Sequence, residues 1–358
     1  MKKLRAGIVG ATGMVGQRFI TLLADHPYFE ISALAASARS AGRTYAEAVG
    51  SRWLLEEPMP DCVKDMKVLD AAKIEDVKPL VDFVFCAVNM PKDEIKALEE
   101  AYARSEIPVV SNNSANRWTP DVPMLIPEIN HAHTAVIEAQ KKRLGTEKGF
   151  ICVKPNCSIQ SYVPLITPLM EFGPREIAVT TFQAISGAGK TFDTMPEILD
   201  NVIPYIGGEE EKSEKEPLRV WGRVEDGRIV PAEGPVITAQ CVRVPASNGH
   251  LAAVYVKFGK KPSKEEILAR WAAYSSVPQE LELPHAPKRF ITYFEEPDRP
   301  QTKLDRMTEG GMGICAGRLR EDPIWDWKFI GLSHNTLRGA AGGALLGAEL
   351  LYRQGYLY

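Results

Sequence analysis

The stretch LRAGIVGATGMVG at residues 4–16 decides the fold of the amino-terminal part of this chain. An apolar run leads into a loop with glycines at positions 10, 13 and 16, and a helical pattern follows over residues 14–25. In dinucleotide-binding folds a strand, a glycine-rich turn and a helix bring a pyrophosphate to the helix N-terminus. The spacing is G-x-x-G-x-x-G rather than G-x-G-x-x-G, but the strand and helix around it predict a dinucleotide site.

Short apolar runs alternate with helical patterns up to about residue 155. Runs at residues 30–36, 83–88 and 108–111, with a charged helical pattern at 92–105, predict βαβ units and a parallel sheet. Beyond residue 155 the segments 176–184, 239–244, 252–258 and 311–316 resemble strands joined by longer connections. We therefore expect an α/β protein, with a Rossmann-like dinucleotide-binding domain and an α+β domain that has an antiparallel or mixed sheet.

The end of the second predicted strand indicates which dinucleotide binds. An NAD site usually places a carboxylate there for the ribose 2′-hydroxyl. This chain has instead two hydroxyls and two guanidiniums, at Ser37, Ser40, Arg39 and Arg43. These groups suit a 2′-phosphate, so we expect NADP. The alternative is that both arginines are solvated loop charges.

Composition excludes several classes of protein. The formal net charge of the 358 residues is −3, which does not favour nucleic acid or an acidic membrane as a partner. The six cysteines are widely spaced, which argues against a disulfide framework or a zinc site and for a reducing compartment. The first residues are charged without a long apolar region, so we expect no signal peptide and a cytoplasmic protein.

The sequence Pro-Asn-Cys-Ser at residues 155–158 carries the candidate nucleophile. A strand-like run at 149–153 precedes it, and a long apolar segment at 162–170 follows. This layout predicts that Cys157 lies at a strand-to-helix turn, where the helix N-terminus favours a thiolate. The alternative is a small buried hydrophobic residue, which is what most unpaired cysteines are.

An activated thiol needs a base and an anion-binding group. Arg243 and His250 lie seven residues apart, and Pro245 and Gly249 interrupt any strand between them, so both side chains can enter one cleft. The polar loop at 110–117 and the glycine-rich loop at 183–189 are further candidates for anion or acyl binding. Glu209 and Lys212 would share a helix face, although we expect the charged run 209–216 to be a solvated helix.

These segments together resemble the aspartate-β-semialdehyde dehydrogenase family over nearly the whole chain. The resemblance rests on the loop at 10–16, the segment 111–117, Pro-Asn-Cys157-Ser, Gln183-Ala-Ile-Ser-Gly, Arg243 with His250, and Asn335-Thr-Leu-Arg-Gly. Leu-Ile-Pro-Glu-Ile-Asn at 125–130 and His334-Asn-Thr-Leu-Arg-Gly are closest to the archaeal and fungal branch.

The resemblance implies a role for each matching residue. Cys157 is then the acylated nucleophile, His250 the general acid/base, and Gln183 the group that orients the acyl intermediate. The implied substrate and phosphate contacts are Arg243, Glu209, Lys212, Arg117 and Asn156. The implied cofactor contacts are Gly10, Thr12, Gly13, Met14, Val15, Gly16, Ser37, Arg39, Ser40, Ser186, Gly187 and Asn335.

The resemblance also implies the reaction, in lysine, threonine and methionine biosynthesis. NADPH would reduce L-4-aspartyl phosphate to L-aspartate 4-semialdehyde through a Cys157 thioester, with release of phosphate. A malonyl-CoA reductase, an N-acetylglutamyl-phosphate reductase and a non-catalytic NADP-binding sensor are the alternatives. We expect residues 1–155 and 335–358 to bind NADP, and residues 156–334 to carry catalysis and the contacts of a homodimer or homotetramer.

Overall fold

The computed structural model describes residues 2–358. Its strands are β1 Leu4–Val9, β2 Phe29–Ala36, β3 Val68–Asp70, β4 Phe83–Cys86, β5 Val109–Ser111, β6 Ile151–Val153, β7 Pro174–Gln183, β8 Arg223–Glu225, β9 Arg228–Val230, β10 Val236–Arg243, β11 His250–Phe258, β12 Ile291–Phe294, β13 Ile314–Glu321 and β14 Trp327–Ser333. Its α-helices are α1 Met14–Leu23, α2 Tyr45–Val49, α3 Asp61–Lys64, α4 Ile74–Val77, α5 Lys92–Arg104, α6 Pro127–Asn130, α7 Ile137–Leu144, α8 Val163–Ile166, α9 Glu209–Val220, α10 Lys264–Ala273, α11 Val277–Glu280, α12 Thr302–Asp305 and α13 Gly342–Arg353.

The first compact unit contains residues 2–155, Arg223–Val230 and Ala340–Tyr358. Its parallel sheet has the order β3-β2-β1-β4-β5-β6, with β1 beside the later strand β4. The predicted parallel α/β architecture is therefore confirmed. Phe19 of α1, Phe29 and Phe85 of the sheet, and Leu345 of α13 belong to one buried apolar core.

The glycines at 10–16 allow a tight connection between β1 and α1. Gly10 has φ +94°, and a Cβ there would lie 2.4 Å from the Ala87 carbonyl oxygen. A Cβ on Gly16 would lie 2.3 Å from the Gly10 carbonyl oxygen, so Gly16 lets the helix pack against the strand. Gly13 is exposed at the N-cap of α1 and has no side chain to cover the helix end.

The second compact unit contains residues 156–222 and 231–339. Its sheet has the order β10-β7-β11-β14-β13-β12. The pairs β10–β7 and β12–β13 are parallel, whereas β7–β11, β11–β14 and β13–β14 are antiparallel. The prediction of an α+β unit with a mixed sheet is confirmed. A separate hairpin, β8–β9, belongs to the first unit.

The two units differ from the expected division at two short segments. Arg223–Val230 joins the first unit, where the Ile229 N–H donates to the Pro120 carbonyl at 2.9 Å. Residues 335–339 join the second unit, where the Gly339 N–H donates to the His334 carbonyl at 2.8 Å. The last helix begins at Gly342, because Leu337–Ala341 before it forms an irregular turn with Ala340 at φ −141° and ψ −106°.

The apolar segment after Cys157 is also less regular than its sequence suggests. A 3₁₀ turn at Ser158–Ser161 comes first, then the short helix α8, then a second 3₁₀ segment at Thr167–Phe172. Pro164 and Pro168 lack the N–H that a continuous helix needs, so each stands at the start of a separate turn. Within residues 2–358 no helix is both long enough and apolar enough to cross a membrane.

Candidate active site

Three candidate side chains meet at one end of the second unit's sheet. Arg243 is the last residue of β10 and pairs in register with Gln183, the last residue of the parallel strand β7. His250 is the first residue of β11, which runs antiparallel on the other side of β7. The chain between Arg243 and His250 thus leaves one strand and enters another, as Pro245 and Gly249 predicted.

The backbone of Ala184 holds both flanking side chains. Its N–H donates to His250 Nδ1 at 3.0 Å, and its carbonyl accepts from Arg243 Nη1 at 2.7 Å. Because Nδ1 accepts a hydrogen bond, the proton of the neutral imidazole lies on Nε2. Ala184 belongs to the Gln183-Ala-Ile-Ser-Gly segment, but its side chain gives no signal for this role, since only its backbone takes part.

The surroundings of His250 keep its ring neutral. The residue is fully buried, and burial together with the nearby Arg243 charge lowers the pKa of His250 from 6.5 to about 3. Protonation would also cost the hydrogen bond from Ala184, because Nδ1 could no longer accept it. A neutral ring with its proton on Nε2 can donate that proton to a charge that forms beside it.

Cys157 lies next to the nitrogen of His250 that carries the proton, Nε2. Its Sγ is 3.4 Å from His250 Nε2, and the residue stands at the N-cap of the 3₁₀ turn Ser158–Ser161. Two glycines leave room for the pair. A Cβ on Gly339 would lie 2.8 Å from Cys157 Cβ, and a Cβ on Gly187 would lie 3.0 Å from both His250 Cε1 and Arg243 Nη1.

Glu209 is a buried carboxylate of the same site and accepts hydrogen bonds from three of its side chains. Its carboxylate accepts from Asn156 Nδ2 at 3.0 Å, from Gln183 Nε2 at 3.3 Å and from Lys212 Nζ at 2.7 Å. Burial by itself would raise the pKa of Glu209, but the Lys212 charge and the hydrogen bonds outweigh it, and the pKa lies below its usual value. Glu209 is therefore a buried anion directed at the residue before the thiol.

The expectation of a solvated helix at residues 209–216 is wrong for one face of α9. Glu209, Ser213 and Glu216 are 9%, 0% and 1% exposed. Glu216 accepts the Asn156 N–H at 2.6 Å, and Ser213 Oγ lies 3.1 Å from Ser158 Oγ. Sequence reasoning missed Ser213 and Glu216, although their spacing of four and seven residues from Glu209 places them on its face.

Asn335 joins two loops beside His250. Its Oδ1 accepts the Gly249 N–H at 2.8 Å, and its Nδ2 donates to Ser186 Oγ at 2.8 Å. All three residues are in the second unit, with Gly187 next to Ser186. The second unit thus brings together ten of the residues that sequence reasoning selected: Cys157, His250, Gln183, Arg243, Glu209, Lys212, Asn156, Ser186, Gly187 and Asn335.

The first unit contains a cavity of about 850 Å³ at the carboxyl ends of β1, β2 and β4. The predicted residues that line it are Gly10, Thr12, Gly13, Ser37, Arg39, Ser40 and Arg43. The size suits a small-molecule ligand, and the helix N-terminus with several arginines suits its phosphates. Met14 and Val15 form the first turn of α1, and Gly16 is buried. The donor set and the open Gly13 fit a dinucleotide that carries a 2′-phosphate.

Arg117 belongs to the first unit and is 7% exposed. Its Nε donates to the Lys154 carbonyl at 2.9 Å, and its Nη2 donates to the Asn112 carbonyl at 3.3 Å. The loop that begins at Ser111 therefore holds the guanidinium in a defined direction.

Comparisons with known proteins identify the family of this chain. Residues 5–137 match the model of the semialdehyde dehydrogenase NAD binding domain, and residues 166–338 match that of the semialdehyde dehydrogenase dimerisation domain. An aspartate-semialdehyde dehydrogenase from Archaeoglobus fulgidus is 43% identical over 97% of this chain and 98% of its own. The enzyme of the same name from Schizosaccharomyces pombe is 41% identical over 99% of both chains.

Solved structures give the same result. The crystal structure of aspartate-semialdehyde dehydrogenase with NADP from Candida albicans has a TM-score of 0.88 and 38% identity, over 99% of this chain and 100% of that one. A Vibrio cholerae aspartate-semialdehyde dehydrogenase II, with a TM-score of 0.75 and 23% identity, shares the fold. On its sequence, its fold and its relatives, this chain belongs to the aspartate-semialdehyde dehydrogenase family.

Proposed function

We propose that this protein is an NADP-dependent aspartate-semialdehyde dehydrogenase that converts L-4-aspartyl phosphate, with loss of phosphate, into L-aspartate 4-semialdehyde. The observation that carries the proposal is the 3.4 Å contact between Cys157 Sγ and His250 Nε2, beside Arg243 and Glu209. In this reading the first unit binds NADP through the cavity lined by Gly10, Gly13 and Arg39. When bound, NADPH supplies the hydride that reduces the acyl carbon.

The residues of the second unit can perform the acyl chemistry. The Cys157 thiolate attacks the acyl phosphate, the C–O bond to phosphate breaks, and a thioester forms. After reduction, negative charge develops on the former carbonyl oxygen, and the His250 Nε2–H stabilises it by donating a hydrogen bond. The C–S bond then breaks as the C=O bond re-forms, and the aldehyde leaves with the thiolate restored.

Arg243 and Glu209 favour an amino-acid substrate. A guanidinium binds a carboxylate in bidentate fashion, and a buried anion suits a substrate ammonium group. Neither malonyl-CoA nor N-acetylglutamyl phosphate carries a free ammonium group, so the buried Glu209 carboxylate beside Asn156 and Gln183 favours aspartyl phosphate over both. Asn156 and Gln183 complete this set by hydrogen bonds to Glu209.

We propose that Arg117 and Lys212 bind phosphate, and that Ser186, Gly187 and Asn335 contact the nicotinamide end of the cofactor.

We also propose a homodimer or homotetramer assembled through the second unit, which matches the dimerisation-domain model. A cytoplasmic location is proposed because the six cysteines are widely spaced, which favours a reducing compartment. Sedimentation velocity over a range of protein concentrations distinguishes the two assemblies.

The test of the function is Cys157→Ala, assayed with aspartate semialdehyde, NADP and phosphate and compared with Cys62→Ala, which removes an exposed thiol. We expect Cys157→Ala to lower turnover by more than about a thousandfold because the thioester cannot form, while NADPH binding, followed by fluorescence, is retained. Substantial phosphate-dependent turnover in Cys157→Ala would contradict the proposal.

Two further assays separate the alternatives. A malonyl-CoA reductase would oxidise NADPH with malonyl-CoA, and we expect no such activity. A non-catalytic sensor would have a slow thiol, so alkylation is measured in the Cys62→Ala background. Fast reaction of Cys157 at neutral pH, with protection by aspartate semialdehyde, supports the enzyme, and slow unprotected reaction supports the sensor.

A further inference from the structure

Glu99 is a buried carboxylate in the first unit that the mechanism above does not use. It lies on α5 and is 0% exposed. Burial raises the pKa of Glu99, and the hydrogen bonds that it receives oppose this shift. A carboxylate in such a place is costly unless donors surround it, so the identity of those donors indicates its role.

Three of the donors come from the polar loop that leads to Arg117. Ser111 Oγ and Asn113 Nδ2 both donate to Glu99 Oε1, the second at 3.1 Å, and Asn116 Nδ2 donates to Oε2 at 2.8 Å. Ser111 Oγ also accepts the Asn113 N–H at 2.9 Å. The Glu99 carboxylate therefore holds the loop near its start, at Ser111, and near its end, at Asn116.

Arg117 directly follows the last of these donors. Asn116 is 0% exposed, and the Arg117 N–H donates to the Ser114 carbonyl at 3.3 Å within the same loop. The Asn112 carbonyl that accepts from Arg117 Nη2 lies between Ser111 and Asn113, which both contact Glu99. The position of the guanidinium thus depends on the loop that Glu99 organises.

We propose that Glu99 is a positioning residue for phosphate: it fixes the loop at residues 111–117 so that Arg117 presents its guanidinium to the phosphate of the substrate. The inference rests on the proposed function, in which Arg117 binds phosphate. Glu99 itself touches neither substrate nor cofactor in this role.

The structure specifies how Glu99→Gln would act. Oε1 accepts two donors and Oε2 accepts one, so the Gln amide nitrogen would replace Oε2 and face the Asn116 amide, donor against donor. Asn116 would then move and Arg117 with it. In the phosphorylating direction we expect the KM for inorganic phosphate to rise about tenfold, with the KM values for aspartate semialdehyde and NADP changed less than about twofold.

The matched control is Glu94→Gln, an exposed glutamate on the same helix, for which we expect all three KM values to stay within about twofold of the parent. Arg117→Leu serves as the reference for loss of the phosphate ligand. If Arg117→Leu raises the KM for phosphate and Glu99→Gln does not, the inference is wrong and the proposed function stands. If Arg117→Leu leaves that KM unchanged, the phosphate assignment fails and the inference fails with it.

A second variant guards against misfolding. Asn116→Ala keeps the Glu99 carboxylate and its other donors, and we expect the same selective rise in the KM for phosphate. If both variants lose NADP affinity and thermal stability together with the phosphate response, Glu99 maintains the unit as a whole, and the inference is overturned. A selective effect in Asn116→Ala supports it even where Glu99→Gln does not fold.

Discussion

At the scale of single residues, His250 shows how a fold determines the chemistry of a side chain. The sequence offers an imidazole that could gain or lose a proton near neutral pH. In the fold, burial and Arg243 hold the ring neutral, and the Ala184 N–H directs its proton to Nε2. His250 therefore faces Cys157 as a hydrogen-bond donor, as the proposed mechanism requires.

The low pKa of His250 has a consequence for stability. The unfolded chain binds a proton at this residue below about pH 6.5, whereas the folded protein does not until about pH 3. The contribution of His250 to the stability of the folded state is therefore present above about pH 6.5 and is lost as the pH falls below that value. Between pH 7 and pH 5 we expect the parent to lose about 2 kcal/mol more free energy of unfolding than His250→Gln, measured by urea denaturation. Parallel pH curves for the two proteins would show that the ring is not kept neutral.

At the scale of elements, one face of α9 contacts both neighbours of Cys157 in the chain. Glu209 accepts from the side chain of Asn156, and Glu216 accepts from its backbone N–H. Ser213, between them, contacts Ser158. The opposite face carries the exposed pair Glu211 and Lys215.

We expect Glu216→Ala to loosen the segment that carries Cys157. Loss of a buried, charged acceptor leaves the Asn156 N–H without its 2.6 Å partner, and should cost about 1–3 kcal/mol of the free energy of unfolding. Turnover and the rate of Cys157 alkylation should both fall, whereas NADP affinity should not change. The control, Glu211→Ala, should alter stability by less than about 0.5 kcal/mol. Unchanged turnover in Glu216→Ala would argue that α9 only covers the sheet.

Elements with strong local signals were predictable from sequence. The strand at residues 4–9 and the strand at 83 begin where the sequence predicts, and β11 begins two residues before its expected start at 252. The short strand β3 and the strand β14 were not identified, because three residues carry no clear period and Trp327–Ser333 mixes large and small side chains. The apolar segment 162–170 gives no sign of its division into separate turns except its two prolines, Pro164 and Pro168.

At the scale of the whole molecule, the carboxyl-terminal residues contribute to the hydrophobic core of the amino-terminal unit. Leu345, Leu351 and Leu357 are in the same buried core as Ile8 and the other residues of the first unit's sheet. Burial of a leucine side chain is worth about 1.5–3 kcal/mol, so three of them together approach the whole stability of a typical domain.

A chain that ends at Gly339 should therefore lack a stable first unit. We expect it to lose NADP binding and the cooperative unfolding transition of that unit, measured by fluorescence and by calorimetry. A milder test is Leu345→Ala, which should lower the free energy of unfolding by about 2–5 kcal/mol. The control is Gln354→Ala, at an exposed residue beyond the end of α13, which should lower it by less than about 0.5 kcal/mol. Normal NADP binding by the shortened chain would contradict this account of the core.

The sequence by itself determined the class of the fold, the dinucleotide loop and the candidate nucleophile, Cys157. These features depend on local physics: glycine at a positive φ, the alternation of strand and helix, and a thiol at the start of a turn. Only the tertiary structure decided that Gln183, Arg243 and His250 meet at one sheet end, that Ala184 orients two of them, and that Glu216 and Glu99 hold loops in place. These contacts depend on strand order and helix packing, which join residues far apart in the chain and leave no periodic trace in the sequence.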